Sequence, residues 1–353
     1  MTIRFVESKT LDWARVQSLL AASAQKNQWT NFGPVSVELE RTIAHLLDVP
    51  SSRAVVATSS GTSALFALLG VLASRTGRRM RWLASAFGFA ATRIGPLAGS
   101  VRLIDCDDEG MLDLGSVAAI PGDDWDGLLL TNVFGRCADF SAYVTFCHDR
   151  DKAIVVDNAQ GLLGSDRGAM NAPEEIISFH HTKPWGFGEG GCAIVDREDE
   201  AMLRGLLNFG YSTPRLVDEY AANGKIADLA AAAIVARLEG WPRAADNYRI
   251  QWQRIASIAE DVGYDVFSRP ATGGTLGFVP ILAPSPVEIE TVRSSALPLA
   301  KYYPPLGDLP TARRLYARIV CVACHPGLGI LEDGLISKGL KALRDQSPPG
   351  ATL

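Results

Sequence analysis

The chain is 353 residues long, 47% hydrophobic and 21% charged, with a formal net charge of −5. That length carries a large hydrophobic core, in one unit or two. The mild acidity offers no cationic surface for a phosphodiester backbone, so small molecules rather than nucleic acid are the expected partners.

In chain order, VSVELERTIAHLLDV (35–49) spaces its apolar residues as a helix does. RAVVATSS (53–60) is a short β-branched run, and TSALFALLGVLAS (62–74) is a helix starting directly after Gly61. Strand patterns follow at RWLAS (81–85), VRLIDC (101–106), GLLLTNV (127–133), AIVVDNA (153–159), EIISFH (175–180) and CAIVD (192–196). Nearly unbroken apolar runs such as LLLTNV and AIVV predict strands buried on both faces, hence an α/β fold with a largely parallel sheet covered by helices.

KIADLAAAAIVARL (225–238) predicts a longer helix ending at Gly240, Trp241 and Pro242. We expect a domain boundary there, dividing a large domain of residues 1–240 from a small α+β domain of residues 241–353. The smaller part reads as a helix from about 244 to 261, a strand-like GTLGFVPIL (274–282), a helix start SPVEIETVRSS, the proline-rich KYYPPLGDLP (301–310) and the strand-like RIVCVACHP. The tail QSPPGATL reads as frayed.

The first residues, MTIRFVESKTLDWARVQ, hold no apolar run of signal-peptide type, and no stretch of about eighteen apolar residues follows. A cytoplasmic protein without membrane contact is expected. Its six cysteines (Cys106, Cys137, Cys147, Cys192, Cys321 and Cys324) are scattered among small and apolar neighbours, which suits reduced, buried thiols. CVACH (321–325) spells the c-type haem pattern but continues a strand-like run in a chain with no export signal. Gly186, Gly188 and Gly191 match G-x-G-x-x-G, yet a dinucleotide site needs the strand before the glycines, and here CAIVD comes after them.

Only eight of the 34 basic residues are lysine, and one of them, Lys183, stands in the aromatic and glycine-rich stretch SFHHTKPWGFGEGG (178–191). A desolvated lysine offers a lone pair that arginine cannot, so this position suits a nucleophilic amine; a lysine snorkelling from a loop is the bland alternative. Lys9, Lys26, Lys152, Lys225, Lys338 and Lys341 read as polar or helix-surface residues, and Lys301, beside two tyrosines, is a weak rival. Asp157 ends an otherwise apolar strand, where a carboxylate needs a strong partner such as a pyridinium nitrogen, or else caps the next turn. Ser60, Gly61 and Thr62 lead from a strand into a helix whose N-terminus suits a phosphate, or form a plain cap.

Eight segments in order now carry a resemblance: NQWTNFGPVSVELE, SSGTSAL, SAFGFAAT, VFGRCADF, VVDNAQGLLG, SFHHTKPWGFGEGG, NGKIADLAAAAIVARL, and YYPPLGDLP with LYARIVCVACHPGL. The sequence resembles the DegT/DnrJ/EryC1 aminotransferase family, pyridoxal 5′-phosphate (PLP) enzymes that aminate keto sugars on nucleotide carriers, as in amino-sugar and lipopolysaccharide O-antigen biosynthesis. The resemblance implies a fold type I PLP-dependent transferase, with a mostly parallel seven-stranded sheet and a small C-terminal domain. It makes Lys183 the lysine that binds the cofactor covalently and Asp157 the partner of the pyridine nitrogen. Gln160 matches the residue on the phenolic oxygen, and Phe89, or its neighbour Phe87, the aromatic on the ring. Gly61, Thr62 and Ser178 match phosphate ligands. Asn223 matches an asparagine that reaches the phosphate from a neighbouring subunit, which implies a homodimer with shared sites.

No metal is implied. The substrates implied are L-glutamate or L-glutamine as amino donor and a nucleotide-linked 4-keto or 3-keto 6-deoxy sugar as acceptor. Trp185 and Phe187 are expected to wall off water, and the glycines at 186, 188, 190 and 191 to let backbone pass close to a planar cofactor. His180 and His181 are acid–base candidates and Glu189 a local hydrogen-bonding group. Two positions depart from the family pattern: Asn132 replaces a histidine and Gly307 another, so substrate contacts differ. Rival readings are a PLP-binding regulatory or sensory protein without turnover, a dehydratase, in which histidine replaces Lys183, and a lyase or desulfurase, which needs a reactive cysteine such as Cys192.

Overall fold

A computed structural model describes residues 3–162, 167–168 and 172–345. Leu163 and Gly164 of the VVDNAQGLLG segment and the tail QSPPGATL lie outside the described residues. The first half contains α1 (Trp13–Lys26), α2 (Pro34–Leu46), β1 (Arg53–Thr58), α3 (Gly61–Thr76), β2 (Trp82–Ser85), β3 (Val101–Ile104), α4 (Leu114–Ala118), β4 (Gly127–Thr131), α5 (Ser141–His148) and β5 (Ala153–Asp157). There follow β6 (Glu174–Ser178), β7 (Gly191–Asp196), α6 (Glu200–Leu207), α7 (Asp228–Glu239), α8 (Trp241–Asp261) and β8 (Asp265–Val266). The chain then runs through β9 (Phe278–Leu282), α9 (Ile289–Arg293), β10 (Leu299–Ala300), α10 (Pro310–Arg318), β11 (Ile319–Ala323) and α11 (Asp333–Asp345).

β1 to β7 form a seven-stranded sheet in the order β1-β7-β6-β5-β4-β2-β3. The pairs β2/β3, β2/β4, β4/β5 and β5/β6 are parallel, while β7 runs antiparallel to both β6 and β1. Every residue of β1, β2 and β4 is buried, as strands covered on both faces must be. The mostly parallel sheet expected from the apolar runs is therefore present. A second sheet, β10-β11-β9-β8, is antiparallel.

The helix expected over 225–238 begins at Asp228, because residues 224 and 225 extend the end of β1 instead: Ser59 N donates to Gly224 O at 2.7 Å and Lys225 bridges Thr58. Gly240 does not end the helical run; its φ of −86° is right-handed, and α8 starts at Trp241 with Pro242 in the first turn, where a missing N–H costs nothing. One buried cluster joins Leu83, Phe87 and Leu130 of the first part to Trp252, Val279 and Leu340 of the second, so the core runs continuously past residue 240.

The sheet's direction places the site. Because β7 reverses direction between β6 and β1, the carboxyl ends of β1, β4, β5 and β6 share one edge, and Thr58, Thr131, Asp157 and Ser178 stand along it. Ligands of open α/β sheets bind outside that edge.

Candidate active site

A cavity of about 430 Å³ opens at this edge. Its wall includes Gly61, Thr62, Phe89, Asp157, Gln160, Ser178 and Lys183, gathered from six segments. Asp157 is buried at 4% exposure and accepts the Ala159 amide on Oδ1 at 3.1 Å. Burial pushes its carboxyl above the usual range, against the Ala159 hydrogen bond and the positive charge of Lys183. Burial draws Lys183 the other way, down to about 8, with Asp157 opposing.

The helix α3 is capped by the Ser60 hydroxyl, which accepts from Ser63 N at 3.1 Å and so leaves the Gly61 and Thr62 amides at the cavity wall. Gly191 lets this helix start sit against the sheet: a Cβ there would lie 2.5 Å from the Gly61 nitrogen. Ser178 Oγ accepts the His180 amide at 3.2 Å, which leaves its own proton free to donate. Gln160 Nε2 donates to the Tyr303 hydroxyl at 3.1 Å.

The choice between the two phenylalanines is structural. Phe89 is 56% exposed on the cavity wall, whereas Phe87 is 0% exposed and packs edge-on against Phe134, Phe267 and Tyr303. Asn223 is exposed, pairs with Asn208 and lies outside this chain's cavity wall.

Several expectations need correction. Trp185 does not wall the cavity; it is fully buried, donates Nε1 to Ser178 O at 2.9 Å and packs on Trp241. Phe187 lies under His181 and lines a separate apolar groove with Trp13, Leu20 and Leu229. Gly186 serves the turn itself, since a Cβ there would lie 2.3 Å from the Phe179 and His180 carbonyl oxygens. Lys225 is not a helix-surface residue: it is buried, donates to Asn208 Oδ1 at 2.7 Å and covers the Phe209 ring. Lys301 is buried away from the cavity wall, donating to the Val287 and Ala317 carbonyls at 2.8 and 2.9 Å.

Lys9 also departs from its surface reading. It lines the cavity, and its ammonium donates to the His181 and Gly186 carbonyls at 2.6 and 2.7 Å and to the Lys183 carbonyl. Burial, then Arg237, draws it down to about 7. With Phe5, Val6 and Glu7 it forms a wall that the sequence reading missed, as it missed Tyr248 and Phe278. Glu7 accepts from Arg237 Nη2 and from the Tyr248 hydroxyl, both at 2.9 Å. The only local signal was a pair of opposite charges in a short segment ahead of the first helix.

His180 reaches the cavity and His181 does not. The Thr182 amide donates to His180 Nδ1 at 3.2 Å, and Nε2 lies 3.4 Å from Glu189. Asn132 spends its side chain on structure, donating to Cys137 O and Asn158 Oδ1 at 2.9 Å and accepting from Cys137 N at 2.9 Å. Cys192 is wholly buried and its thiol is pushed up by desolvation, as suits a core thiol.

The sequence model of the DegT/DnrJ/EryC1/StrS aminotransferase family matches residues 12–275. The chain belongs to this family. It is 31% identical to Protein Rv3402c of Mycobacterium tuberculosis over 233 residues, covering 62% of this chain and 56% of that one. It is 22% identical to the dTDP-4-amino-4,6-dideoxy-D-glucose transaminase of Shigella dysenteriae over 222 residues, covering 61% and 59%. The chain thus matches little more than half the length of either relative. Among solved structures it superposes on a putative PLP-dependent aminotransferase from Bacillus cereus with a TM-score of 0.81 and 21% identity, covering 97% of this chain and all of that one.

Aminotransferases of the DegT/DnrJ/EryC1/StrS family use PLP. The cavity fits that group: a desolvated amine, a buried carboxylate with one described protein hydrogen bond, uncapped helix amides and an exposed aromatic face meet in one space. Among the described residues no helix is long and apolar enough to cross a membrane.

Proposed function

We propose that this chain is a PLP-dependent aminotransferase that moves an amino group from L-glutamate or L-glutamine to a keto sugar carried on a nucleotide. The observation that carries the reading is the meeting of Lys183 and Asp157 in one cavity at the carboxyl edge of the sheet. The acceptor we assign is a 4-keto or 3-keto 6-deoxy sugar. The Shigella relative, whose name specifies a dTDP-linked dideoxy amino sugar, supports that class.

In this reading Gly61, Thr62 and Ser178 would hold the cofactor phosphate, Asp157 the ring nitrogen, Gln160 the phenolic oxygen and Phe89 the ring face. PLP, when bound, supplies an aldehyde for amines to condense with and a ring that drains electrons from the adjoining carbon. Lys183 Nζ, drawn down to about 8, is neutral often enough near neutral pH to take the proton from the donor's α-carbon. As an ammonium it then returns a proton to the carbon that receives the amino group. Burial raises the Asp157 carboxyl's affinity for a proton, and a neighbouring positive charge favours its ionised form. Set against the ring nitrogen of bound PLP, the Asp157 carboxylate would keep that nitrogen protonated.

We assign Asn223 to the cavity of a second copy of the chain, making the enzyme a homodimer with shared sites, and we place it in the cytoplasm. The test is direct. PLP-loaded protein is treated with L-glutamate and then with candidate nucleotide keto sugars, while the amine product is followed by mass spectrometry. Loss of the visible band near roughly 410 nm on adding glutamate, reversed by one sugar, is the expected result. A band that persists with every amino donor would favour the sensory alternative.

A further inference from the structure

The turn that carries Lys183 is held from outside by two basic side chains, and both belong to one arrangement built on the N-terminal segment. Lys9 Nζ donates to the carbonyls of His181, Lys183 and Gly186. Arg237 donates to the Pro184 carbonyl from Nε at 3.1 Å and Nη2 at 2.6 Å, and its Nη2 is shared with Glu7 at 2.9 Å. Four carbonyls of a six-residue turn therefore converge on Lys9 directly and on Glu7 through Arg237.

The peptide at Lys183 is fixed at both ends. Its N–H donates to His180 O at 2.9 Å, and its carbonyl accepts the Gly186 amide at 3.0 Å as well as Lys9. The same carbonyls cannot be left bare in a buried turn without a cost, so an apolar residue at position 9 strands the His181 and Gly186 carbonyls and leaves that of Lys183 with the Gly186 amide alone. As an ammonium Lys9 has no hydrogen to spare, because its three N–H groups meet three oxygens. That geometry suits a residue that orders its neighbours and does not suit a ligand for substrate.

We propose that Lys9 is a positioning residue: it pins the backbone of residues 181–186 so that the Lys183 amine is held in place at the cavity. The groups facing its ammonium are Glu7 on its own segment, Arg237 on α7, and Lys183 and His181 on the turn. The inference rests on the assignment of Lys183 as the reactive amine and adds a residue to it.

The experiment is amide hydrogen exchange on cofactor-free protein, comparing the unmutated chain with Lys9→Met and Lys9→Arg. Exchange at Lys183, Gly186 and Phe187 is expected to rise about tenfold or more in Lys9→Met, with β4 and β5 unchanged, and to recover in part in Lys9→Arg. Protection within about twofold of the unmutated chain in Lys9→Met overturns the proposal. If Lys9→Met does not fold, Lys9→Ala, which removes every donor and leaves room for water, carries the same comparison, and unchanged protection there overturns it equally. Borohydride reduction of the PLP-loaded, unmutated chain separates the two ideas. An adduct on another residue removes the underlying assignment, whereas an adduct on Lys183 with unchanged exchange in the variants removes the role of Lys9 alone.

Discussion

Asp157 and Lys183 oppose, in each other, what burial does to both: the carboxylate holds the amine's affinity for protons up, and the ammonium holds the carboxyl's down. In cofactor-free protein, methylation of Lys183 by formaldehyde and cyanoborohydride, read by mass spectrometry across pH, is expected to titrate near 8. Asp157→Asn removes the supporting charge, so the Lys183 midpoint should move below that of the unmutated chain. An unchanged or raised midpoint would show that the two groups do not interact.

The same shift sets a stability trend. Between about 8 and the unfolded value of about 10.4, the unfolded chain binds more protons at this lysine than the folded one, so its contribution makes stability rise with pH across that window. Lys183→Met should remove this rise. Urea unfolding at pH 8 and at higher pH, compared between the two proteins, measures it.

Lys183→Ala is expected to lose the borohydride-stable PLP adduct and at least about 10³-fold of turnover, because among the described residues the other amine on the cavity wall, Lys9, is engaged by three backbone carbonyls. Asp157→Ala should keep the adduct yet lose turnover by about 10²–10⁴-fold, since it touches the electron sink and not the attachment. Full transamination by Lys183→Ala would remove the catalytic assignment.

Phe87 and Phe89 are separated by one residue and by opposite roles. Phe87→Ala should destabilise the fold by about 3–5 kcal/mol, as a wholly buried ring lost from an aromatic cluster does. Phe89→Ala should leave stability within about 0.5 kcal/mol, because the ring is more than half exposed. Its cofactor affinity should fall by roughly 2- to 10-fold, the worth of one ring stack. Melting curves with and without PLP read both effects, and the reverse pattern would exchange the two residues.

What the sequence disclosed follows the range of the forces involved. AIVVD and GLLLT were legible as strands because burial on both faces leaves an unbroken apolar run, and Asp157 stood out because it ends one. Lys183 was legible by its company. Lys9 was not, because its partners are three backbone oxygens more than 170 residues away, and a carbonyl leaves no mark in a sequence. The roles given to Trp185 and Phe187 failed for the same reason: a ring beside a reactive residue in sequence can point into the core, and Trp185 points at Trp241. The start of α7 was misplaced because the bridge from Lys225 to Thr58 overrides local helical preference.

Asn223 gives the sharpest test of sharing between subunits. It is exposed, yet its segment is fixed: Asn208 pairs with it, and Gly224 O accepts the Ser59 amide at 2.7 Å just ahead of α3. A polar side chain held firmly outside its own cavity can serve the cavity of another copy. Asn223→Asp should weaken PLP binding, because a carboxylate facing a phosphate costs several kcal/mol. Lys183→Ala should be inactive by itself. When the two variants are co-refolded, about half of the dimers are mixed, and one of their two sites carries neither change, so about a quarter of the unmutated activity should return. In a protein whose sites are complete within one chain, each mixed dimer would hold one Lys183→Ala site and one Asn223→Asp site, and mixing would restore nothing. Activity that stays at the average of the two separate variants would therefore confine Asn223 to its own subunit and remove it from the site.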